Sequence, residues 1–173
     1  MEEYKSPDDS KKYKVLFVCL GNICRSPAAE AILRSKLRDA GLMPDRVEVD
    51  SAGIGAWHTG QLPDRRMREH GARRGYDISS RARQVKAGDF GRFDLIFAMD
   101  NDNAADLRRI ARSRDEAAKI LLAADFLSRH PGQTTVPDPY YGGEDDFRLA
   151  LDLIEDACDG IVKMLQGRLS SCR

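Results

Sequence analysis

The sequence predicts an α/β domain: a doubly wound, about four-stranded parallel sheet with helices on both faces and an anion-binding loop after the first strand. Three observations lead there. Short, continuously apolar runs recur along the 173 residues, as strands buried on both faces of a parallel sheet require. Segments with apolar residues at helical spacing separate them. A glycine-containing turn joins the first apolar run to the first helix, at the strand end where open α/β sheets bind ligands.

Residues 1–12 form a polar leader, closed by Lys11-Lys12-Tyr13 and expected to be flexible, and residues 13–168 form the domain. Val15-Leu16-Phe17-Val18-Cys19 is the first strand. Ser26-Pro27 opens a helix, because Ser suits the N-cap and Pro the first helical position. Ala28, Ala29, Ile32, Leu33 and Leu37 continue it until Gly41 stops it. Val47-Glu48-Val49 is a second strand, ended by the turn-prone Asp50-Ser51-Ala52-Gly53. Pro63 to His70 forms a second helix, ending near Gly71. Phe93 to Met99 makes a third strand, and Asp100-Asn101-Asp102 caps a helix running through Leu107 and Ile110. Lys119-Ile120-Leu121-Leu122 is a weaker fourth strand. After Pro137-Asp138-Pro139, apolar residues from Phe147 to Leu165 make a long amphipathic helix.

Composition excludes several function classes. The 28 basic and 28 acidic side chains cancel, so a nucleic-acid or anionic-membrane role has no electrostatic support. No apolar run reaches the ~18–20 residues of a membrane span, and the N-terminus lacks the layout of a secretory signal. The expectation is a cytoplasmic monomer. Cys19, Cys24, Cys158 and Cys172 need not be disulfides in a chain with a normal core, and no histidine accompanies the first two, so no metal site is expected. His58, His70 and His130 are scattered and expected at the surface. Residues 63–86 carry eight basic against three acidic side chains, and residues 138–159 eight acidic against Arg148. These are solvated helix faces or, alternatively, a steering edge for an acidic substrate.

The chemistry lies in Cys19-Leu20-Gly21-Asn22-Ile23-Cys24-Arg25-Ser26-Pro27. A loop curling into a helix N-terminus turns several N–H groups inward and adds the positive end of the helix dipole, a cradle for a phosphate-sized anion. Gly21 permits the positive φ such a loop demands, and Asn22 tolerates it. Arg25, six residues after Cys19, can close the ring with a bidentate fork. A thiol at the floor of that cradle is favoured as the thiolate and becomes a nucleophile aimed at phosphorus. Cys-x5-Arg is common by chance; its place between strand and helix, with Gly inside and Ser-Pro behind, makes it specific.

The stretch Val15 to Pro27 closely resembles the signature of the low-molecular-weight protein tyrosine phosphatases. The similarity continues through Val49-Asp50-Ser51-Ala52-Gly53, Ala82-Arg83-Gln84-Val85, Phe93-Asp94-Leu95-Ile96, Met99-Asp100 and Asp138-Pro139-Tyr140-Tyr141-Gly142. The resemblance implies Cys19 as nucleophile, Arg25 as phosphate clamp and Asp138 as general acid and then base. Leu20, Gly21, Asn22, Ile23, Cys24 and Ser26 would line the phosphate, with Ser26 donating a hydrogen bond to the thiolate. Asn22 would be held by a network that includes Ser51. Cys24 would be a redox partner able to shield Cys19 through a reversible disulfide. Ser80 departs from the family, standing where many members carry a histidine that hydrogen-bonds the counterpart of Ser26.

Trp57, the single tryptophan, would ordinarily be core; its loop context and the resemblance make it a wall of the substrate slot. Tyr140 and Tyr141 would form the opposite wall, sandwiching a phenyl ring. Cys158 and Cys172 read as helix-core and tail residues. The implied function is hydrolysis of phosphotyrosine monoesters without metal or cofactor, with phosphotyrosine proteins or aryl phosphates as substrates and inorganic phosphate as product and competitive ligand. One alternative is a protein-arginine phosphatase on the same fold, whose members tend to carry threonine in place of Ile23. Another is a thiol-dependent arsenate reductase, which needs further cysteines that residues 25–157 do not contain. A non-catalytic phosphate-binding module would lack Cys19, Arg25 or Asp138, and all three are present.

Overall fold

A computed structural model describes residues 12–170, so most of the leader and Cys172 lie outside the described residues. Four strands, β1 (Tyr13–Cys19), β2 (Val47–Gly53), β3 (Leu95–Ala98) and β4 (Ile120–Leu122), form one sheet in the order β2-β1-β3-β4. Every pairing is parallel. Six α-helices are described: α1 (Arg25–Asp39), α2 (Arg65–Arg73), α3 (Asp89–Arg92), α4 (Asn101–Ile110), α5 (Arg114–Ala117) and α6 (Glu144–Ser170), with a 3-10 turn at Ala123–Phe126.

The period of two along the strands divides the core. Val15, Phe17 and Cys19 join Val47, Val49 and Phe97 against α1 and α6. Leu16, Val18, Ala52, Ile96 and Ala98 face Phe90, Phe93, Ala104 and Leu107, from α3, its flank and α4. Central strands buried on both faces explain why they read as unbroken apolar runs.

Several boundaries differ from expectation for identifiable reasons. β2 runs on through Asp50-Ser51-Ala52-Gly53, because parallel pairing with β1 as far as Cys19↔Gly53 overrides turn propensity. α1 begins at Arg25 with Cys24 as N-cap and no side-chain cap bond, because Ser26 spends its hydroxyl elsewhere. α2 continues past Gly71 to Arg73, capped by Asp64. Gly71 lies inside the helix, where a Cβ would overlap the Ile78 side chain packed against it. Phe93 leaves β3 to become the C-cap of the unforeseen α3.

The two charged stretches partly meet each other. Arg74 reaches Asp152 at 2.7 Å and Glu155 at 2.6 Å, joining the end of α2 to α6. The histidines are not simply superficial. His70 is buried and stacks on Phe147, and half-buried His130 bonds the fully buried Asp156 at 2.8 Å. No helix among the described residues is long and apolar enough to cross a membrane.

Candidate active site

The carboxyl ends of β1, β2 and β3 deliver the site. β1 ends at Cys19, residues 20–24 curl away, and α1 starts at Arg25. The loop's carbonyls are taken from outside: Ile54 donates to Cys19, Gly55 to Leu20 and Asp64 to Ile23, at 2.9, 2.9 and 2.7 Å. For the N–H groups of Gly21, Asn22, Ile23 and Cys24 no backbone acceptor is found among the described residues. Outward carbonyls and unpaired N–H groups before a 15-residue helix are the makings of an anion cradle.

The strain of the curl sits on one residue. Asn22 has φ 57°, whereas Gly21 does not use the positive φ expected of it. The glycine that the loop needs is Gly53 at the end of β2, where an added Cβ would lie 2.9 Å from both the Asn22 nitrogen and the Gly21 carbonyl carbon. Asn22 is held by three bonds. Its Nδ2 donates to Ser26 Oγ at 2.8 Å and Ser51 Oγ at 3.0 Å, and its Oδ1 accepts from the Arg83 N–H at 3.0 Å.

These donations orient the hydroxyls. Ser51 Oγ donates its hydrogen bond to Glu30 Oε1 at 2.9 Å. The proton of Ser26 is left for Cys19 Sγ at 3.0 Å or the Ala52 carbonyl at 3.3 Å. Toward a thiolate, Ser26 is the donor. Among the described residues no hydrogen bond joins Ser80 to Ser26; the network ends on Glu30, whose carboxyl is pushed up by burial. Glu30 is 5% exposed and was not foreseen in the sequence, where it looks like any glutamate of a helix.

Arg25 is 2% exposed and splits its guanidinium between two tasks. Nη1 donates to Asp100 Oδ2 at 2.6 Å and to the Val136 carbonyl at 3.0 Å. Nε is buried without a partner, and Nη2 has only Asp138 at 3.6 Å. Burial works against the positive charge, but Cys19, Asp100 and Asp138 outweigh it and raise the pKa. The sequence marks the anchor Asp100 as a helix cap and as part of the family-like Met99-Asp100, without this role. It performs the capping as well, through Oδ1 and the Asn103 N–H at 2.8 Å.

A cavity of about 360 Å³ opens above Cys19 and Arg25. Leu20, Gly21, Ile23 and Cys24 line its base, and Trp57, Tyr140 and Tyr141 wall it beside Asp138. Trp57 and Tyr141 are 69% and 95% exposed, as walls of an open slot are. The structure thus brings ten of the predicted residues to one cavity, with Asn22, Ser26 and Ser51 supporting it from beneath. It adds His58, which lines the mouth from the surface position expected of it, with Nδ1 3.0 Å from Gln61 Oε1. Cys19 and Cys24 are both free thiols. Burial, followed by Asp64, pushes the Cys24 thiol up, so it stays protonated. Among the described residues no cluster of His, Cys, Asp or Glu is arranged to hold a metal ion.

The comparisons agree with this geometry. The family described as low molecular weight phosphotyrosine protein phosphatase matches residues 14–171. A low molecular weight protein-tyrosine-phosphatase of Streptomyces coelicolor is 44% identical over 151 residues, covering 87% of this chain and 92% of the relative. The crystal structure of a protein tyrosine phosphatase from Entamoeba histolytica superposes with a TM-score of 0.86 at 46% identity, covering 91% of this chain and 99% of that one. A Drosophila arginine phosphatase superposes with a TM-score of 0.79 at 34% identity, covering 87% and 96%. On both sequence and structure, the chain belongs to the low molecular weight phosphotyrosine protein phosphatase family.

Proposed function

We propose that this chain hydrolyses phosphotyrosine in proteins, through a phosphocysteine and without a cofactor. The observation that carries the reading is the half-free guanidinium of Arg25. Nη1 is tied to Asp100 and Val136, Nε has no partner and Nη2 only the distant Asp138, while Arg25 lines the same cavity as Cys19. That is the edge a bidentate phosphate needs.

In the first step the Cys19 thiolate attacks phosphorus and the bond to the phenolic oxygen breaks. Loop N–H groups and Arg25 stabilise the charge that grows on the phosphoryl oxygens. Asp138, protonated, gives its proton to the departing phenolate. In the second step the Asp138 carboxylate takes a proton from water, the water oxygen bonds phosphorus, and the S–P bond breaks. Ser26 donates to the departing thiolate, and inorganic phosphate remains as product and competitive ligand. Trp57 and Tyr140 sandwich the substrate ring, and Ile23 offers an apolar contact that favours tyrosine over phosphoarginine. Cys24 serves as the redox partner that shields Cys19. The protein acts as a cytoplasmic monomer.

The test is paired hydrolysis of phosphotyrosine and phosphoarginine peptides by the parent, Cys19→Ser and Asp138→Ala. Fast phosphotyrosine turnover that disappears in Cys19→Ser supports the reading. Preference for phosphoarginine would transfer the chain to the arginine phosphatases with the mechanism kept. An Asp138→Ala variant as fast as the parent on every aryl phosphate removes the acid role.

A further inference from the structure

The phosphate loop and the segment carrying Asp138 are remote in sequence, yet the acid must meet the leaving oxygen within hydrogen-bond reach. The 3.6 Å approach of Asp138 to Arg25 is too long to hold it there, and the carboxyl side chain is 36% exposed. Its carboxylate accepts a local hydrogen bond, from the Tyr140 N–H to Oδ1 at 3.1 Å. Something else must fix the turn.

The start of α2 does so. The Asp64 N–H donates to the Ile23 carbonyl of the phosphate loop at 2.7 Å. The Asp64 carboxylate accepts from Arg66 three times, from the backbone N–H at 2.8 Å, Nε at 3.1 Å and Nη2 at 3.0 Å. Burial raises the Asp64 pKa, but the bonds from Arg66 outweigh it and hold the carboxyl below its ordinary range. Arg66 then reaches across: Nη2 donates to the Tyr140 carbonyl at 2.9 Å and Nη1 to the Gly142 carbonyl at 3.4 Å. Its guanidinium carbon lies 4.6 Å from the Phe147 ring centroid and 5.7 Å from that of Tyr140. One planar group therefore touches the phosphate loop's support, the turn after Asp138, an aromatic wall and the first turns of α6.

We propose that Arg66 is a positioning residue for proton transfer: it clasps the Tyr140–Gly142 turn to α2 and so aims Asp138 at the leaving oxygen. The proposal rests on Asp138 being the acid. Arg66 does not line the cavity, so it acts through Asp138 and not on phosphate. Its charge is matched by Asp64, which argues against a role in attracting the anion. The geometry also requires arginine, since the two branches serve separate carbonyls and a lysine ammonium cannot span them.

The test uses Arg66→Met, which keeps an apolar stem on Phe147, and Arg66→Lys, which keeps the charge, each alone and combined with Asp138→Ala. kcat/KM, which covers only the steps through phosphocysteine formation and not the hydrolysis common to all substrates, is measured over aryl phosphates of graded phenol acidity, and phosphate affinity as competitive inhibition by inorganic phosphate. We expect Arg66→Met to lose about tenfold on weakly acidic phenols, part of the ~10²–10⁴-fold supplied by a general acid. Strongly acidic phenols should lose less than about twofold, phosphate inhibition should stay within about twofold, and Asp138→Ala should mask the whole effect. Arg66→Lys falls between and carries the test if thermal melting shows that the Met variant does not fold. Equal losses on all phenols, weakened phosphate inhibition, or multiplication with Asp138→Ala each overturn the clasp. If Asp138→Ala itself shows no dependence on the phenol, the acid reading fails first, a result separable from failure of Arg66 alone.

Discussion

Asn22 concentrates the conformational cost of the phosphate loop, so replacing it by Gly and by Ala separates backbone strain from side-chain bonding. Either change removes two donations to hydroxyls, at 2.8 and 3.0 Å, and the acceptor of the Arg83 N–H. Ser26 and Ser51 keep other partners, so each of those losses costs roughly 0.5–1.5 kcal/mol; the stranded Arg83 N–H costs roughly 1–3 kcal/mol. The sum is about 4 kcal/mol for Asn22→Gly. Ala must in addition hold φ 57°, which costs roughly 1–2 kcal/mol in the left-handed region and is partly offset by the extra freedom glycine gives the unfolded chain. Asn22→Ala should therefore be the less stable of the pair by about 1 kcal/mol, measured by urea unfolding followed by circular dichroism. Activity toward aryl phosphates should fall about 10²–10³-fold in both, because N–H groups no longer preorganised stabilise the transition state less well. Ala at least as stable as Gly, or either variant within about 0.5 kcal/mol of the parent, would refute the argument that this network holds a strained residue.

Other expectations follow from single contacts. A Cβ at Gly55 would overlap the Trp57 ring, so Gly55→Ala should raise KM for aryl phosphates about 2–10-fold, the value of one aromatic contact. The turnover number should hold, and emission of the single tryptophan should report the displaced ring. Ile23→Thr should shift the ratio of phosphoarginine to phosphotyrosine hydrolysis about tenfold toward phosphoarginine, as one pocket contact can, in side-by-side kinetics. Asp156 is lowered from 3.8 to about 2: burial opposes this, but bonds from His130, Arg129 and Ser128 prevail. A depressed carboxylate contributes stability above its unfolded value and loses it as pH falls toward the folded one. Asp156→Asn should thus cost about 2 kcal/mol at pH 7 and almost nothing near pH 2, as equilibrium unfolding at the two pH values would reveal.

The sequence by itself determined the sheet, the nucleophilic loop and the residues that share the cavity with it. Continuous apolar runs have no other stable place than a sheet covered on both faces, and the cradle is local, written within Cys19 to Ser26. The roles of Asp138, Ser51 and the tyrosine wall were legible through family resemblance, with loop context adding only Trp57, because no spacing rule relates residues separated by a whole βαβ unit. The tertiary structure alone decided what holds the cradle in place. Asp100 is a helix cap until β3 sets it beside Arg25, Glu30 a helix glutamate until Ser51 meets it, and Arg66 one basic residue among eight until α2 lies against the turn after Asp138. Strand ends also resisted prediction at Asp50 to Gly53, where pairing with a distant strand outweighed turn-forming side chains. The physical reason is common to these cases: propensity and local motifs act over a few residues, whereas a buried charge or hydroxyl takes its meaning from whichever partner the fold brings within 3 Å.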